Sequence, residues 1–175
     1  MDKITITGGK YRGRKIATPG GATHPMGSRE RLALFNMLTG KIEDESVLDV
    51  FAGSGALGIE ALSRGASEVV FVEKNRVAIE TIKQNLAELG ASDNTRVVKS
   101  SVRDAISDLG EFAVVLADPP YDNFDITEVR LLAQVVKNGG VLALSHPGEA
   151  PEIPGLTLLK SHSYAAAHLS LYTKD

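Results

Sequence analysis

The chain has 175 residues and contains no cysteine and no tryptophan; aromatic residues make up only 5% of it. Without cysteine there is no disulfide, no thiolate metal site and no thiol nucleophile, a pattern that fits a reducing compartment. The four histidines (His24, His146, His162 and His168) show no ligand spacing, so no metal site is expected. They read as surface or pocket-rim residues, with His146, at a strand end, a candidate for bordering a substrate pocket. No apolar run approaches the roughly 18 residues of a membrane span. The opening "MDKITITGG" lacks the apolar core of a signal peptide. A soluble, cytoplasmic protein with no membrane partner is expected. Positive charge is also short: the formal net charge is −3, which taken alone argues against a nucleic-acid partner. There is no internal repeat and no low-complexity segment.

What is present begins with a 43% hydrophobic content, enough for a substantial core and against global disorder. The charge is unevenly placed. Residues 1–40 hold Lys3, Lys10, Arg12, Arg14, Lys15, Arg29 and Arg31 against Asp2 and Glu30, a net of +5, which leaves −8 on the remainder. A basic arm on an acidic body is a pattern of nucleic-acid contact; a solvated extension is the plainer alternative. The expected division is an N-terminal basic hairpin and helix over 1–40 and a larger domain over 41–175.

"ITIT" (4–7) and "KIAT" (15–18) flank the glycine-rich, basic "GGKYRGR" and predict a hairpin. "PGGATHPMG" (19–27) reads as a loop. Ser28 is a candidate N-cap for a helix to about Leu38 with Leu32, Phe35 and Leu38 on one face, and Gly40 can end it. From residue 46 strands and helices alternate. "SVLDVF", "EVVFVEK", "TRVVKS", "FAVVLAD" and "GGVLALSH" are strands. Helices are expected at "ALGIEALSRG", from the Asn75 cap to Gly90, at "VRDAISDL" and over about 126–137. "LTLLKSHS" and "AAHLSLYT" close the chain as an antiparallel pair joined by a short turn. This alternation predicts an α/β fold with a mostly parallel sheet covered on both faces. Ligands in such folds bind beyond the carboxyl ends of the strands, which here means Asp49–Gly58, Glu73 and residues 118–121.

"LDVFAGSGALGIEAL" (48–62) carries Gly53, Gly55 and Gly58 in the G-x-G-x-x-G spacing of a dinucleotide site, with Glu73 at the distance of a ribose-binding acid. An equally good owner is S-adenosylmethionine, which also contains adenosine. Asp49 would repel a pyrophosphate but attract an ammonium and a sulfonium. At about 4 Å and an effective dielectric of about 20, such a charge match is worth roughly 4 kcal/mol before desolvation. A tight strand-to-helix turn with no ligand is the bland alternative. Asp49-x-Phe51-x-Gly53-x-Gly55 resembles the first motif of class I S-adenosylmethionine methyltransferases.

"ADPPY" (117–121) ends the fourth strand of the alternating region. Pro119 and Pro120 have fixed φ and no N–H, so the strand stops and its carbonyls are held rigidly. Asp118 and the Pro119 carbonyl can accept the two N–H bonds of an exocyclic amine, while Tyr121 stacks on the ring that bears it, a contact worth about 1–3 kcal/mol per base. The tetrad resembles the (Asp/Asn)-Pro-Pro-(Tyr/Phe/Trp) motif of amine methyltransferases. An aromatic amine is a poor nucleophile because its lone pair is delocalised. Hydrogen bonds that draw its nitrogen toward sp³ geometry concentrate that pair for in-line attack on a methyl group. A target inside a paired or stacked nucleic acid would be flipped out.

With these residues in place the chain resembles the RsmD family of bacterial 16S ribosomal RNA guanine-N(2)-methyltransferases. "ITGGKYRGRKIATP", "RERLALFNML", "LDVFAGSGALGIEALSRGA" and "DPPY" carry the likeness, which spans nearly the whole chain. It implies a Rossmann-like class I fold with a seven-stranded, mostly parallel sheet and an antiparallel last strand. It implies S-adenosyl-L-methionine as donor and S-adenosyl-L-homocysteine as product, and a guanine of 16S ribosomal RNA in an assembled or nearly assembled small ribosomal subunit as target. A monomer is expected. Carried over, Asp49, Gly53 and Gly55 fall on the methionine-side pocket, Glu73 on the ribose, Ser101 and Val102 near the adenine, and Asp118, Pro119, Pro120 and Tyr121 on the catalytic tetrad, with Phe51, Lys74 and Asp118 also counted among the donor-binding residues. The family places Asn before a small residue where Ser101 and Val102 stand, so the backbone N–H of Val102 is the better candidate. "HPMGSRER" (24–31) departs from the family's Arg-Pro-Thr-Thr-Asp-Arg: His24 replaces an Arg and the Thr pair is missing. Lys10, Arg12, Arg14, Lys15, Arg29 and Arg31 remain candidates for phosphate contacts. Two other readings stand beside this one: a DNA adenine-N6 methyltransferase, and a catalytically silent RNA-binding or assembly protein on the same fold.

Overall fold

A computed structural model describes residues 2–21, 25–164 and 167–175. His24 and the centre of the turn before the last strand lie outside the described residues. Two short antiparallel strands, β1 (Lys3–Thr5) and β2 (Lys15–Ala17), precede α1 (Ser28–Met37). There follow β3 (Ser46–Val50), α2 (Ala56–Ser63), β4 (Glu68–Glu73), α3 (Arg76–Leu89), β5 (Thr95–Lys99), α4 (Val102–Ala105), β6 (Phe112–Ala117), α5 (Ile126–Leu131), β7 (Val136–His146), β8 (Thr157–Ser163) and β9 (His168–Thr173). The seven strands from β3 form one sheet in the order β5-β4-β3-β6-β7-β9-β8. β3 to β7 run parallel, and β9 is antiparallel to both β7 and β8. This is the Rossmann-like class I architecture expected, with its last strand reversed.

The chain works outward from β3 through β4 to β5, then returns to the centre as β6 and works outward the other way. The switch point therefore lies between β3 and β6, which opens a crevice at their carboxyl ends. β6 (Phe112–Ala117) is buried at every position, the reading of a parallel strand covered on both faces. On one face Val47, Phe71 and Leu116 pack with Ile59 of α2 and Ile82 of α3. On the other, Leu48, Val72 and Val115 pack with Val102 of α4 and Val129 of α5. α3 forms as its sequence dictates. Asn75 accepts a hydrogen bond from the Ala78 N–H, Ile79, Ile82, Leu86 and Leu89 are buried, and Gly90 closes the helix at φ +65°.

The N-terminal hairpin is not a loose arm. Ile4, Ile6 and Ile16 share a core with Leu34, Phe35 and Leu38 of the α1 region and with Ile59, Phe71 and Ile82. Beneath them lies Glu60, fully buried on α2. Its carboxylate accepts from the Thr7 N–H, from Arg31 Nε at 3.2 Å and from Arg64 Nε at 3.1 Å. One carboxylate thus ties hairpin, α1 and α2 together.

Four local expectations are corrected. Gly27, not Ser28, is the N-cap of α1, and it provides no side-chain cap. The buried face of the helix is Arg31, Leu34 and Phe35, while Leu32 turns outward at 44% exposure; Glu60 draws Arg31 inside and so sets the helix rotation. The helix expected over about 126–137 ends at Leu131 and is followed by a 3-10 turn, Leu132–Gln134, before β7 starts at Val136. Val136 pairs with Phe112, and Gly139 sits at φ +78°, a conformation no helix interior accepts. The "VRDAISDL" helix is a single turn, α4, run into a 3-10 turn at Ile106–Asp108.

Candidate active site

The glycine loop turns sharply after β3. Phe51 takes a left-handed φ of +56°, unusual for a bulky residue and of the kind that collects at functional sites. Gly53 also lies at φ +56°, and a Cβ there would have nothing within 4 Å. The space beside it is open to a ligand that needs close backbone approach. Gly55 caps α2 in the left-handed region, where a Cβ would lie 3.2 Å from Ile82. Gly58 has a different job: a Cβ would sit 2.3 Å from the Phe71 ring, so this glycine lets α2 lie on β4.

Three carboxylates meet here, one from each of the adjacent strands β3 and β4 and one just past β6. Asp49 is buried, and its Oδ2 accepts the Gly58 N–H at 2.8 Å. Burial pushes its carboxyl well above the usual range, and the charges of Asp118 and Glu73 add to that push. Glu73 accepts the Gly53 N–H at 2.8 Å with one oxygen and the Lys74 and Asn75 N–H groups at 2.9 and 2.8 Å with the other. It is half-buried and holds the loop and the start of α3 in register, with lone pairs left to accept hydroxyl groups. Burial raises Asp118 to about 6, against a hydrogen bond from Ser145 that pulls it down. A cation placed against Asp49 would offset the repulsion it feels from Asp118 and Glu73.

Pro119 is buried and Pro120 exposed, while Tyr121 is half-buried. The Tyr121 phenol is hydrogen-bonded to Ser145 near the carboxyl end of β7. Burial makes the phenol harder to ionise, raising its pKa above the usual tyrosine value, and the charges of Asp118 and Glu30 raise it further. Ser101 caps α4, accepting the Asp104 N–H at 3.1 Å. Val102 opens that helix, in the first turn, where an N–H has no intrahelical acceptor. Lys74 is exposed beside Glu73.

His146 does not face the tetrad. It is fully buried, with Nε2 2.7 Å from the Ser170 hydroxyl and its ring stacked on His168. Strand side chains alternate between faces, so its neighbour Ser145 is the residue that reaches Tyr121. The period-two pattern of "VLALSH" contains this signal, but nothing in the sequence alone says which of the two residues faces the crevice.

In the hairpin, Lys10, Arg12, Arg14 and Lys15 are all exposed. Their loop rides on the carboxyl end of α2: the Lys10 N–H donates to the Ser63 carbonyl at 2.7 Å and the Tyr11 N–H to the Ser63 hydroxyl at 2.8 Å. A Cβ on Gly9 would lie 1.8 Å from the Ser63 oxygen, which explains the glycine pair. Lys10 Nζ stands 5.2 Å above the Tyr11 ring. Arg29 is exposed, but Arg31 is 1% exposed. Its guanidinium is consumed by Glu60 and the carbonyls of Met26 and Thr5. The expectation that Arg31 meets phosphate is therefore corrected: it is a buried structural cation. Among the described residues no group of three or more His, Asp or Glu side chains is placed to hold a metal ion.

Comparison with known proteins agrees with this arrangement. The family described as "Conserved hypothetical protein 95" matches residues 4–173. "Ribosomal RNA small subunit methyltransferase D" of Escherichia coli is 48% identical over 75 residues, a segment covering 42% of this chain and 38% of that protein. The Bacillus subtilis protein named "Putative rRNA methyltransferase YlbH" is 30% identical over 98% of this chain and 99% of its own length. A solved structure, "Putative methyltransferase yhhF from Escherichia coli", superposes with a TM-score of 0.89 at 32% identity, covering 99% of each chain.

Proposed function

Because the chain belongs to the family described as "Conserved hypothetical protein 95", we propose that it is an S-adenosylmethionine-dependent methyltransferase acting on the N2 amine of a guanine in small-subunit ribosomal RNA. The observation that carries this reading is the convergence of Asp49, Glu73 and Asp118 behind the glycine loop, with Asp118 opening the Asp-Pro-Pro-Tyr turn. The names of the similar E. coli and B. subtilis proteins, which refer to ribosomal RNA methylation, support the choice of substrate.

The donor fits the residues present. Its ammonium and sulfonium suit the acids Asp49 and Asp118, its ribose hydroxyls suit Glu73, and its close approach uses the space beside Gly53 with Phe51, Gly55, Lys74, Ser101 and Val102 as the remaining walls. When bound, it supplies an electrophilic methyl group on sulfur. The chain's own work is positioning and electrostatics. The Asp118 carboxylate and the Pro119 carbonyl accept the two N–H bonds of the guanine amine, Pro119 and Pro120 fix those acceptors, and Tyr121 stacks against the flipped base. Ser145 holds both Tyr121 and Asp118. Residues 1–40 act as the RNA-contacting extension of the catalytic domain over 41–175, with Lys10, Arg12, Arg14, Lys15 and Arg29 on phosphates. The reading places a monomer in the cytoplasm; among the described residues no helix is long and apolar enough to cross a membrane.

Mass spectrometry of ribosomal RNA and DNA nucleosides from a deletion strain tests this. The expected result is loss of N(2)-methylguanine from the small subunit with DNA unchanged; full retention would overturn the substrate. Small subunits from that strain, incubated with labelled donor, should take up methyl groups from the wild type and, under the same conditions, at least a hundredfold more slowly from Asp118→Ala, about the scale of a lost catalytic hydrogen-bond acceptor. Equal uptake would remove Asp118 from the mechanism.

A further inference from the structure

The hairpin and the glycine loop share a buried core that contains Ile16 and Ala52, and one polar side chain holds the backbone of both. Asn85 lies on α3 and is 1% exposed. Its Oδ1 accepts the Ala17 N–H at 2.8 Å and its Nδ2 donates to the Ala17 carbonyl at 2.9 Å. This pairs the amide with β2 as a neighbouring strand would. The same Nδ2 donates a second bond, at 3.1 Å, to the carbonyl of Ser54, which stands between Gly53 and Gly55. One turn before it on the same helix, Ile82 lies against Gly55. All the polar capacity of Asn85 that the site can use is therefore divided between the basic hairpin and the loop that faces the donor.

We infer that Asn85 is a positioning residue that couples docking of the RNA-contacting hairpin to the conformation of the donor-binding loop, so that the two ligands bind cooperatively. The inference rests on the function proposed above. Left-handed backbone at Phe51, Gly53 and Gly55 makes this loop a segment whose shape depends on being held. The Ser54 carbonyl is buried and needs a donor. If β2 lifts from α3, the Asn85 amide loses two of its three partners and is free to rotate, and the Ser54 carbonyl loses its fixed N–H. Conversely, a ligand that orders the loop holds Asn85 in the orientation that grips Ala17. Linkage makes the effect reciprocal: RNA seated on the hairpin raises donor affinity by the same factor as the donor raises RNA affinity. A residue buried merely to fill space would move stability without linking the two sites.

Hydrogen exchange on the wild-type protein tests this without any variant. Adding S-adenosylhomocysteine should slow exchange across 52–55 and also across 15–18, whose Ala17 N–H and carbonyl are held by Asn85. Protection of the loop with none in the hairpin would overturn the inference. No binding at all would overturn the donor assignment itself, and the inference with it. Calorimetry on Asn85→Asp gives the second arm. The carboxylate keeps an acceptor for the Ala17 N–H but faces the Ala17 and Ser54 carbonyls with no N–H to give. S-adenosylhomocysteine should bind about tenfold more weakly than to wild type, within the usual range of coupling between sites, and the added protection across 15–18 should disappear. Unchanged affinity in a folded Asn85→Asp protein would overturn the inference.

Discussion

The phenol of Tyr121 is hydrogen-bonded to the hydroxyl of Ser145 across the parallel pair β6–β7. The same hydroxyl also bonds the carboxyl group of Asp118 and lowers its proton affinity. One small side chain thus sets the aromatic wall and the acidic acceptor together. Ser145→Ala removes the hydrogen bond that holds Asp118 down and leaves burial, which raises it, unopposed. In the wild type the rate of methyl transfer should rise with pH and level off above about 6, as Asp118 becomes an acceptor. In Ser145→Ala the rising limb should move to higher pH, and the apparent KM for RNA should increase because Tyr121 is no longer held. A pH–rate profile measured from 5 to 9 reads both; an unmoved acid limb would remove Ser145 from the site.

Asp118 is also a liability to the fold. Its carboxyl is raised from 3.8 to about 6, so between these values the native state binds more protons than the unfolded chain. Stability contributed by the protonated form is therefore lost as pH rises through that window and stays lost above it. Asp118→Asn keeps the shape and cannot ionise. It should be more stable than wild type at pH 7.5 by on the order of 2–3 kcal/mol, a gain that vanishes below about pH 4. Its residual turnover should show no acid limb near 6. Thermal melts at pH 4 and 7.5 check the sign, and equal melting temperatures at pH 7.5 would show that Asp118 is not strained by burial.

Much of the fold was legible because its signals are local. The β3-to-β7 strands are apolar runs between glycine and asparagine stops. Asn75 and Gly90 bracket α3 with a cap and a left-handed stop. The glycine loop and the Asp118–Tyr121 turn were legible because their chemistry is in the residue types. What was not legible depends on partners distant in sequence. Arg31 looks like a surface cation until Glu60, 29 residues away, is seen to hold it. Leu32 looks like a core residue until Arg31 takes its place. His146 is the candidate for the pocket border until the sheet turns it away and gives that face to Ser145. Asn85 carries no signal of its own in the helix pattern, and only the docked hairpin makes it a junction.

Glu60 supports a sharper test of the hairpin's attachment. Removing one member of a buried ion pair leaves the other charge without compensation, at a cost of roughly 3–5 kcal/mol. Glu60→Ala abandons Arg31, whose side chain is 1% exposed, together with the Thr7 N–H. It should lower stability by that amount in urea titration. Glu60→Leu combined with Arg31→Met should recover most of the loss, because no fully buried charge is then stranded; Arg64, the other cation on Glu60, is 23% exposed. If the double variant were as unstable as Glu60→Ala, the loss would lie in the remaining contacts of Glu60, to Arg64 and Thr7, and not in the stranded cation.

The exposed cations of the hairpin should behave in the opposite way. Lys10, Arg12 and Lys15 are solvent-facing, and none makes a salt bridge among the described residues. Changing all three to Gln should leave the melting temperature nearly unchanged. Each phosphate contact contributes about 0.7–0.9 to the slope of log affinity against log salt concentration. Losing three should flatten that slope by about 2–3 and weaken RNA binding most at low salt, with little change in which sequence is preferred. Donor affinity in the absence of RNA should not move, because the Ala17–Asn85 contact is untouched. Arg31→Met should give the reverse pattern: a large drop in stability with the salt slope intact. Filter binding across a salt series, run beside thermal melts, separates the two kinds of arginine. A salt slope unchanged in the triple variant would remove the hairpin tip from the RNA interface.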